Sequence, residues 1–269
     1  MSAPDSKRAT VVLHTDGPIR IITINRPECR NAVDGPTAQL LYDAFVDADR
    51  DPAIAVAVLA GADGTFCAGA DLKAVATGKG NRVNVDSADE IVGSLGPMGP
   101  TRLLLDIPVI AAVEGFAVAG GLELAVWCDM RVVGDDAVFG VFCRRWGVPL
   151  IDGGTTRLPR LIGESHAADL ILTGREVDAS EAQRLGLANR VVAAGDALDA
   201  AVALAHDIAE LPQVCLRSDR RSMYEQHGLA LGAALANEVR LGLATIRSGE
   251  TQAGAQRFAA GAGRHGKPA

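Results

Sequence analysis

The stretch from Ile107 to Cys128, IPVIAAVEGFAVAGGLELAVWC, constrains this chain more than any other. It is apolar enough to imitate a membrane span, yet it holds Glu114 and Glu123 and is broken by glycines, and a carboxylate in hydrocarbon is expensive. It therefore reads as buried protein core with an acid inside, and no membrane is expected as a partner. A chain of 269 residues can bury a complete core without metal or disulfide staples. The five cysteines (Cys29, Cys67, Cys128, Cys143, Cys215) are odd in number and far apart, with no C-x-x-C pair, which argues against a disulfide framework or a zinc site. The segment Met1 to His14 has neither the apolar core of a secretory signal nor the Arg-rich composition of a transit peptide, so the expected location is the cytoplasm.

Strands and helices alternate around that stretch. Thr10 to His14 and Ile19 to Asn25 are β-branched runs separated by Thr15-Asp16-Gly17-Pro18, which predicts a hairpin. Pro36 to Asp49 places Leu40, Leu41, Phe45 and Val46 at helical spacing, and Ile54 to Ala60 is a continuous apolar run of strand length. The order recurs with Pro108 to Val113 as strand, Gly120 to Cys128 as helix and Met130 to Gly134 as strand. Such alternation predicts an α/β core with largely buried parallel strands. Beyond Asp178, apart from Asn189 to Val192, the segments Leu198 to Leu211, Leu216 to Glu225 and Leu229 to Ile246 predict helices. Thr77 to Ser87 reads as a mobile loop and Gly261 to Ala269 as a frayed tail.

Two glycine-rich segments carry the chemistry. In Gly61 to Leu72, small residues at Ala68, Gly69 and Ala70 let a ligand approach the main chain and leave the Ala68 N–H available as a donor. In Gly115 to Leu124 a strand turns into a helix, whose first N–H groups lack internal partners and sit at the positive end of the macrodipole, so Gly120 aims a donor at an anion. Two such amides suit a thioester enolate, an oxyanion for which one donor is worth roughly 2.7 to 4 kcal/mol. Glu123 lies one turn after Gly120, where a carboxylate can move a proton at the α or β carbon. The blander reading of Glu123 is a surface charge at a helix start, but its apolar neighbours Leu122, Leu124, Val126 and Trp127 imply burial.

F-C-A-G-A-D-L at Phe66 to Leu72, paired with P-V-I-A-A-V-E-G-F-A-V-A-G-G-L-E-L-A-V-W-C-D from Pro108 to Asp129, resembles the double signature of the crotonase (enoyl-CoA hydratase/isomerase) superfamily. I-T-I-N-R-P at Ile22 to Pro27, R-N-A at Arg30 to Ala32, Phe139-Gly140 and G-G-T-T-R-L-P-R-L-I-G at Gly153 to Gly163 extend the likeness. The resemblance implies an α/β fold with a ββα spiral core over residues 1–195. A helical region over 196–269 would serve oligomerisation and cover the active site, the assembly being a homotrimer or dimer of trimers. It also implies that Ala68 and Gly120 form the oxyanion hole, and that Glu28, Cys29 and Arg30 with Ala70, Asp71 and Leu72 line the coenzyme A site. No cofactor is implied, coenzyme A being part of an acyl-CoA substrate of fatty acid metabolism.

Hydratases of the superfamily pair a glutamate matching Glu123 with a second one shortly after the F-G step, and here that second position holds Cys143. Asp152, in Pro149-Leu150-Ile151-Asp152-Gly153-Gly154, is similar to the catalytic aspartate segment of the naphthoate synthases in the same superfamily, and is the candidate replacement acid. It reads equally well as the cap of a helix from Gly153 to Leu161. Cys143 has no histidine near it in sequence, which disfavours a nucleophilic thiol. Arg144 and Arg145 suit a carboxylate-bearing acyl group or a plain exposed basic pair. Among the five histidines no H-E-x-x-H appears, so metal hydrolysis is disfavoured, and no nicotinamide fingerprint is present. A net charge of −7 without a basic run disfavours nucleic acid as a partner. The expected activity is hydration of a 2-enoyl-CoA or double-bond isomerisation. The alternatives are a specialised reaction through Asp152 (cyclisation, decarboxylation or thioester hydrolysis) and a non-catalytic acyl-CoA-binding protein.

Overall fold

The computed structural model describes residues 8–84 and 87–262. Val11–Asp16 (β1) and Ile19–Ile24 (β2) form the expected hairpin, with pairing continued to Asp16 and Ile19 so that Gly17 and Pro18 alone make the turn. Among the described residues four further strands match segments expected from the sequence, and three more do not. Val56–Gly61 (β3), Val109–Val113 (β4), Met130–Gly134 (β6) and Arg190–Val192 (β9) extend the hairpin into a six-stranded sheet in the order β1-β2-β3-β4-β6-β9. From β2 onward its neighbours are parallel, with Ile22, Leu59, Ala111 and Arg131 in one row across it. A smaller sheet, unforeseen in the sequence, joins Phe116–Val118 (β5), Val138–Gly140 (β7) and Glu176–Asp178 (β8). Each of these strands has three residues, too few to show a period of two.

The two sheets make a spiral. After β4 the chain enters β5 and then helix Gly120–Trp127 (α3); after β6 it enters β7 and then helix Gly154–Ile162 (α4). The preceding turn does the same in abbreviated form: β3, a single bridge from Cys67 to Ala117, then helix Leu72–Ala76 (α2). Helix Gly35–Arg50 (α1) lays Leu41, Ala44, Phe45 and Ala48 on the core, and Asp34 caps it by accepting the Thr37 N–H. Phe45 meets Trp127 edge to face at 4.8 Å, and the Trp127 indole donates to the Leu103 carbonyl. Glu164–Thr173 (α5) and Ala179–Leu185 (α6) follow. Over 77–84 and at 87 the chain has no helix or strand; residues 85–86 of the expected mobile loop, and 263–269 of the expected frayed tail, lie outside the described residues.

Two compact units are present, divided after His206. Helix Ala197–Ala209 (α7) begins within the first unit because Ala197, Ala201 and Ala205 are fully buried and the Glu114 carboxylate accepts the Ala197 N–H at 2.8 Å. The second unit contains Gln213–Glu225 (α8), Leu231–Arg247 (α9) and Glu250–Ala259 (α10), the last unforeseen; Glu250 accepts the Val214 and Cys215 N–H groups at the start of α8. Among the described residues no helix is long and apolar enough to cross a membrane. The Ile107–Cys128 stretch is divided among β4, β5 and α3, all eight residues of α3 being buried.

Arg131, only 2 % exposed, anchors the far end of α3. Its guanidinium donates to the Ala125 and Cys128 carbonyls at 3.4 and 2.9 Å, to the Leu187 carbonyl, and to Asn189 Oδ1 at 3.1 Å. A cation on the last carbonyls of a helix complements its dipole. Arg131→Met is expected to destabilise the chain by about 3 kcal/mol or more, because it strands several buried carbonyls at once. Urea unfolding measures this, and a loss within about 0.5 kcal/mol would contradict the anchoring role.

Candidate active site

Consecutive turns of the spiral bring the two glycine-rich segments together. The Cys67 N–H donates to the Phe116 carbonyl at 2.9 Å, the Val118 N–H donates back to the Cys67 carbonyl at 3.1 Å, and the Ala119 N–H reaches the next turn at the Gly140 carbonyl at 2.9 Å. These bonds press Gly69 against the start of α3. A Cβ at Gly69 would lie 2.9 Å from both Gly120 N and Ala119 Cβ, and one at Gly121 would lie 2.0 Å from the Cys67 carbonyl oxygen, so only glycine fits either position. Ala119 itself holds φ 55°, an uncommon conformation for alanine, which turns the chain from β5 into α3. Among the described residues no acceptor receives the Gly120 N–H, as expected for the first residue of a helix.

The expected free donor at Ala68 is not found. Its N–H donates to the Arg30 carbonyl at 3.0 Å. The cause is a short parallel ladder between 30–33 and 68–71, in which the Val33 N–H donates to the Gly69 carbonyl at 2.8 Å and the Asp71 N–H to the Val33 carbonyl at 3.0 Å. Arg30 and Asn31 enter that ladder in left-handed conformations, with φ 55° and 56°. Asn31 is fully buried and pins the loop before Ala68, donating to the Ala62 and Thr65 carbonyls at 2.8 and 2.6 Å while accepting the Arg26 N–H. Nothing in the local sequence around Asn31 marks this role.

Glu123 is 2 % exposed, which excludes a surface charge. Its Oε1 accepts the Asp152 and Gly154 N–H groups, both at 2.8 Å. Burial, and then the nearby Asp152 carboxylate, push its pKa up from 4.5 to about 7, against the two amide bonds and Arg157. Asp152 is 4 % exposed and does not cap α4: that helix has no side-chain cap, and Glu123 from α3 serves its first amide instead. The Asp152 Oδ1 turns the other way, accepting the Met98 N–H at 2.9 Å and a short hydrogen bond from the Thr101 hydroxyl. Burial raises its pKa also. Glu123 Oε2 and Asp152 Oδ2 accept no hydrogen bond among the described residues. Met98 and Thr101 were not foreseen, since nothing in their local sequence marks a carboxylate partner.

The other expected site residues are spread more widely. Glu28 and Arg30 are exposed and Cys29 half-buried, in and after a single 3-10 turn at Pro27–Cys29, with the Arg30 guanidinium 5.9 Å from the Phe116 ring centre. Ala70 sits on the ladder and Leu72 is exposed, but the Asp71 carboxylate is already engaged. Its Oδ1 caps α2 and its Oδ2 accepts from Arg26, which also pairs with Asp34. Cys143 is buried, and burial together with Glu123 pushes its thiol up, which makes it a poor nucleophile. Arg144 and Arg145 are exposed and donate to the Ile171 and Gly174 carbonyls at the end of α5. Among the described residues no group of histidine, cysteine and acidic side chains could hold a metal.

This arrangement, a spiral of two sheets with a free helix-start amide one turn from a buried carboxylate, is that of a crotonase-like α/β fold. The enoyl-CoA hydratase/isomerase family model matches residues 14–262. An enoyl-CoA hydratase of Mycobacterium tuberculosis, EchA19, is 37 % identical over 262 residues, 96 % of this chain and 94 % of that protein. A carnitinyl-CoA dehydratase of Proteus mirabilis is 39 % identical over 199 residues, 73 % of each. Crystal structures of enoyl-CoA hydratases from M. tuberculosis and Mycobacterium marinum superpose with TM-score 0.86 at 36 % identity, covering 94 % of this chain and 96 % of theirs. The chain belongs to the enoyl-CoA hydratase/isomerase family, within the crotonase superfamily.

The raised pKa of Glu123 has a consequence for stability that is independent of any reaction. Folding favours the protonated carboxyl, so its stabilising contribution is full below about pH 4.5 and is lost as pH rises through about 7. Between about pH 5 and about pH 8 the wild type should lose on the order of 3 kcal/mol relative to Glu123→Gln, whose amide keeps an acceptor oxygen. Urea unfolding of both proteins at the two pH values measures the difference, and parallel pH dependences would show that the carboxyl is not perturbed.

Proposed function

We propose that this chain hydrates a 2-enoyl-CoA thioester, with Glu123 moving the proton and Asp152 holding the attacking water. The supporting observation is the pairing, across one turn of α3, of an unoccupied N–H at Gly120 with a buried carboxylate at Glu123. As the water oxygen bonds to the β carbon, its proton passes to a carboxylate, and the π electrons move onto the thioester oxygen as an enolate. The enolate then regains a carbonyl when the α carbon takes a proton. Gly120 N–H stabilises that oxygen from the start; Ala68 N–H becomes the second donor by giving up or sharing its bond to the Arg30 carbonyl. A carboxyl titrating near neutrality is suited to give and take a proton in one cycle. Asp152, through its unoccupied Oδ2, takes the place that Cys143 leaves without a carboxylate.

The names of the relatives, enoyl-CoA hydratase and carnitinyl-CoA dehydratase, support addition or removal of water at an acyl-CoA. Double-bond isomerisation is the second reading, and Cys143 favours it, because moving one proton along the acyl chain needs one base and not two. In either case coenzyme A belongs to the substrate and no cofactor takes part. The protein works in the cytoplasm as a trimer or a dimer of trimers, and Glu28, Cys29, Arg30, Ala70, Asp71 and Leu72 line the path of coenzyme A.

Purified protein mixed with a series of 2-enoyl-CoA thioesters is expected to form 3-hydroxyacyl-CoA at roughly 1 to 10³ per second. Glu123→Gln should lower that rate by about 100-fold or more while leaving acyl-CoA binding intact. Chromatographic identification of the product separates the readings: a shifted double bond without water uptake replaces hydration by isomerisation. Tight binding with no turnover of any thioester would contradict both.

A further inference from the structure

The Asp152 carboxylate is held asymmetrically, and the group that holds it belongs to a segment with no motif of its own. Residues 96–102 form a closed turn in which Gly96 and Gly99 exchange N–H to carbonyl bonds at 2.8 and 2.9 Å. The turn presents the Met98 N–H and the Thr101 hydroxyl to the same oxygen of Asp152, Oδ1. Thr101 is 1 % exposed. Arg157 from α4 fixes the relative position of the two backbones, donating to the Thr101 carbonyl at 2.7 Å and the Asp152 carbonyl at 3.0 Å. The same turn reaches the helix-start amide, since a Cβ at Gly120 would lie 2.7 Å from Met98 Sδ. With Oδ1 doubly occupied and Oδ2 accepting nothing among the described residues, the carboxylate can rotate only by breaking two buried hydrogen bonds.

We infer that Thr101 is a positioning residue, whose hydroxyl locks one oxygen of Asp152 so that the other is presented to the reacting water. This rests on the proposal that Asp152 takes part in the reaction. A threonine serves because its hydroxyl donates, and valine is the matching shape without the donor. The charged groups facing Asp152 are Glu123 from α3, Arg102 from the turn and Arg157 from α4, with Cys143 beyond Glu123. Thr101→Val removes none of them. Losing a hydrogen bond to the ionised carboxyl makes ionisation harder, so the pH limb that the Asp152–Glu123 pair imposes on kcat should move to higher pH.

Steady-state kinetics of the full chain on the 2-enoyl-CoA that it turns over, across pH, tests this with Thr101→Val, Thr101→Ser, Asp152→Asn and the valine–asparagine double variant. Thr101→Val is expected to lower kcat roughly 10- to 100-fold with KM nearly unchanged and the limb moved upward, and Thr101→Ser to restore both. The double variant should be no slower than Asp152→Asn alone. A Thr101→Val protein with wild-type kcat and pH profile, beside an impaired Asp152→Asn, would overturn the positioning role and leave the role of Asp152 standing. A fully active Asp152→Asn would overturn the underlying proposal instead. Should Thr101→Val not fold, Thr101→Cys, with its weak donor, takes its place. If that variant also fails while Thr101→Ser folds, the hydroxyl is a stabilising bond only and the inference is wrong.

Discussion

Hydrogen bonding between equivalent points of successive spiral turns is the interaction on which the site depends. Cys67 in one turn, β5 in the next and β7 in the third are joined by the Cys67 to Phe116, Val118 to Cys67 and Ala119 to Gly140 bonds. Because each turn leaves this small sheet at the same place to enter its helix, segments some fifty residues apart, 66–70 and 116–121, must end side by side. No side-chain recognition is required. What the sequence must supply is room, and it does so with glycine at 69 and 121, where a methyl group would collide with the neighbouring turn.

The same proximity explains how a carboxylate comes to be buried at the centre. An unpaired charge in such a place would be prohibitively costly. Glu123 is offset by two amides from the start of α4, and Asp152 by an amide and a hydroxyl from the 96–102 turn, so each acid keeps one oxygen satisfied and one open. Burial outweighs those hydrogen bonds and leaves both pKa values raised. A core that served stability alone would have an apolar side chain at 123; this one retains a group that titrates near neutrality.

Much of this was legible in the residues, for reasons that differ from place to place. The long apolar strands and α3 stand out because burial on all sides leaves an unbroken apolar run, and Gly120 with Glu123 follows from helical spacing alone. The three-residue strands of the small sheet were invisible because so short a segment has no period. Asp152 was ambiguous because an aspartate before a helix caps it in one rotamer and faces elsewhere in another, and here the Met98 and Thr101 donors select the second. The Ala68 N–H, expected to be free, is bonded to the Arg30 carbonyl. The direction of the Arg30 carbonyl depends on two left-handed residues that are not glycine, and composition carries no sign of them.

The proposed reaction requires the adjacent turns to form one oxyanion site at Gly120 and Ala68, with Glu123 beside it. A crystal structure of the complex with an unreactive saturated acyl-CoA tests it most directly. The thioester oxygen is expected about 3 Å from both Gly120 N and Ala68 N, with a longer separation between Ala68 N and the Arg30 carbonyl than in the free protein. A thioester bound with its oxygen directed away from Gly120 N, while Ala68 remains bonded to Arg30, would contradict it.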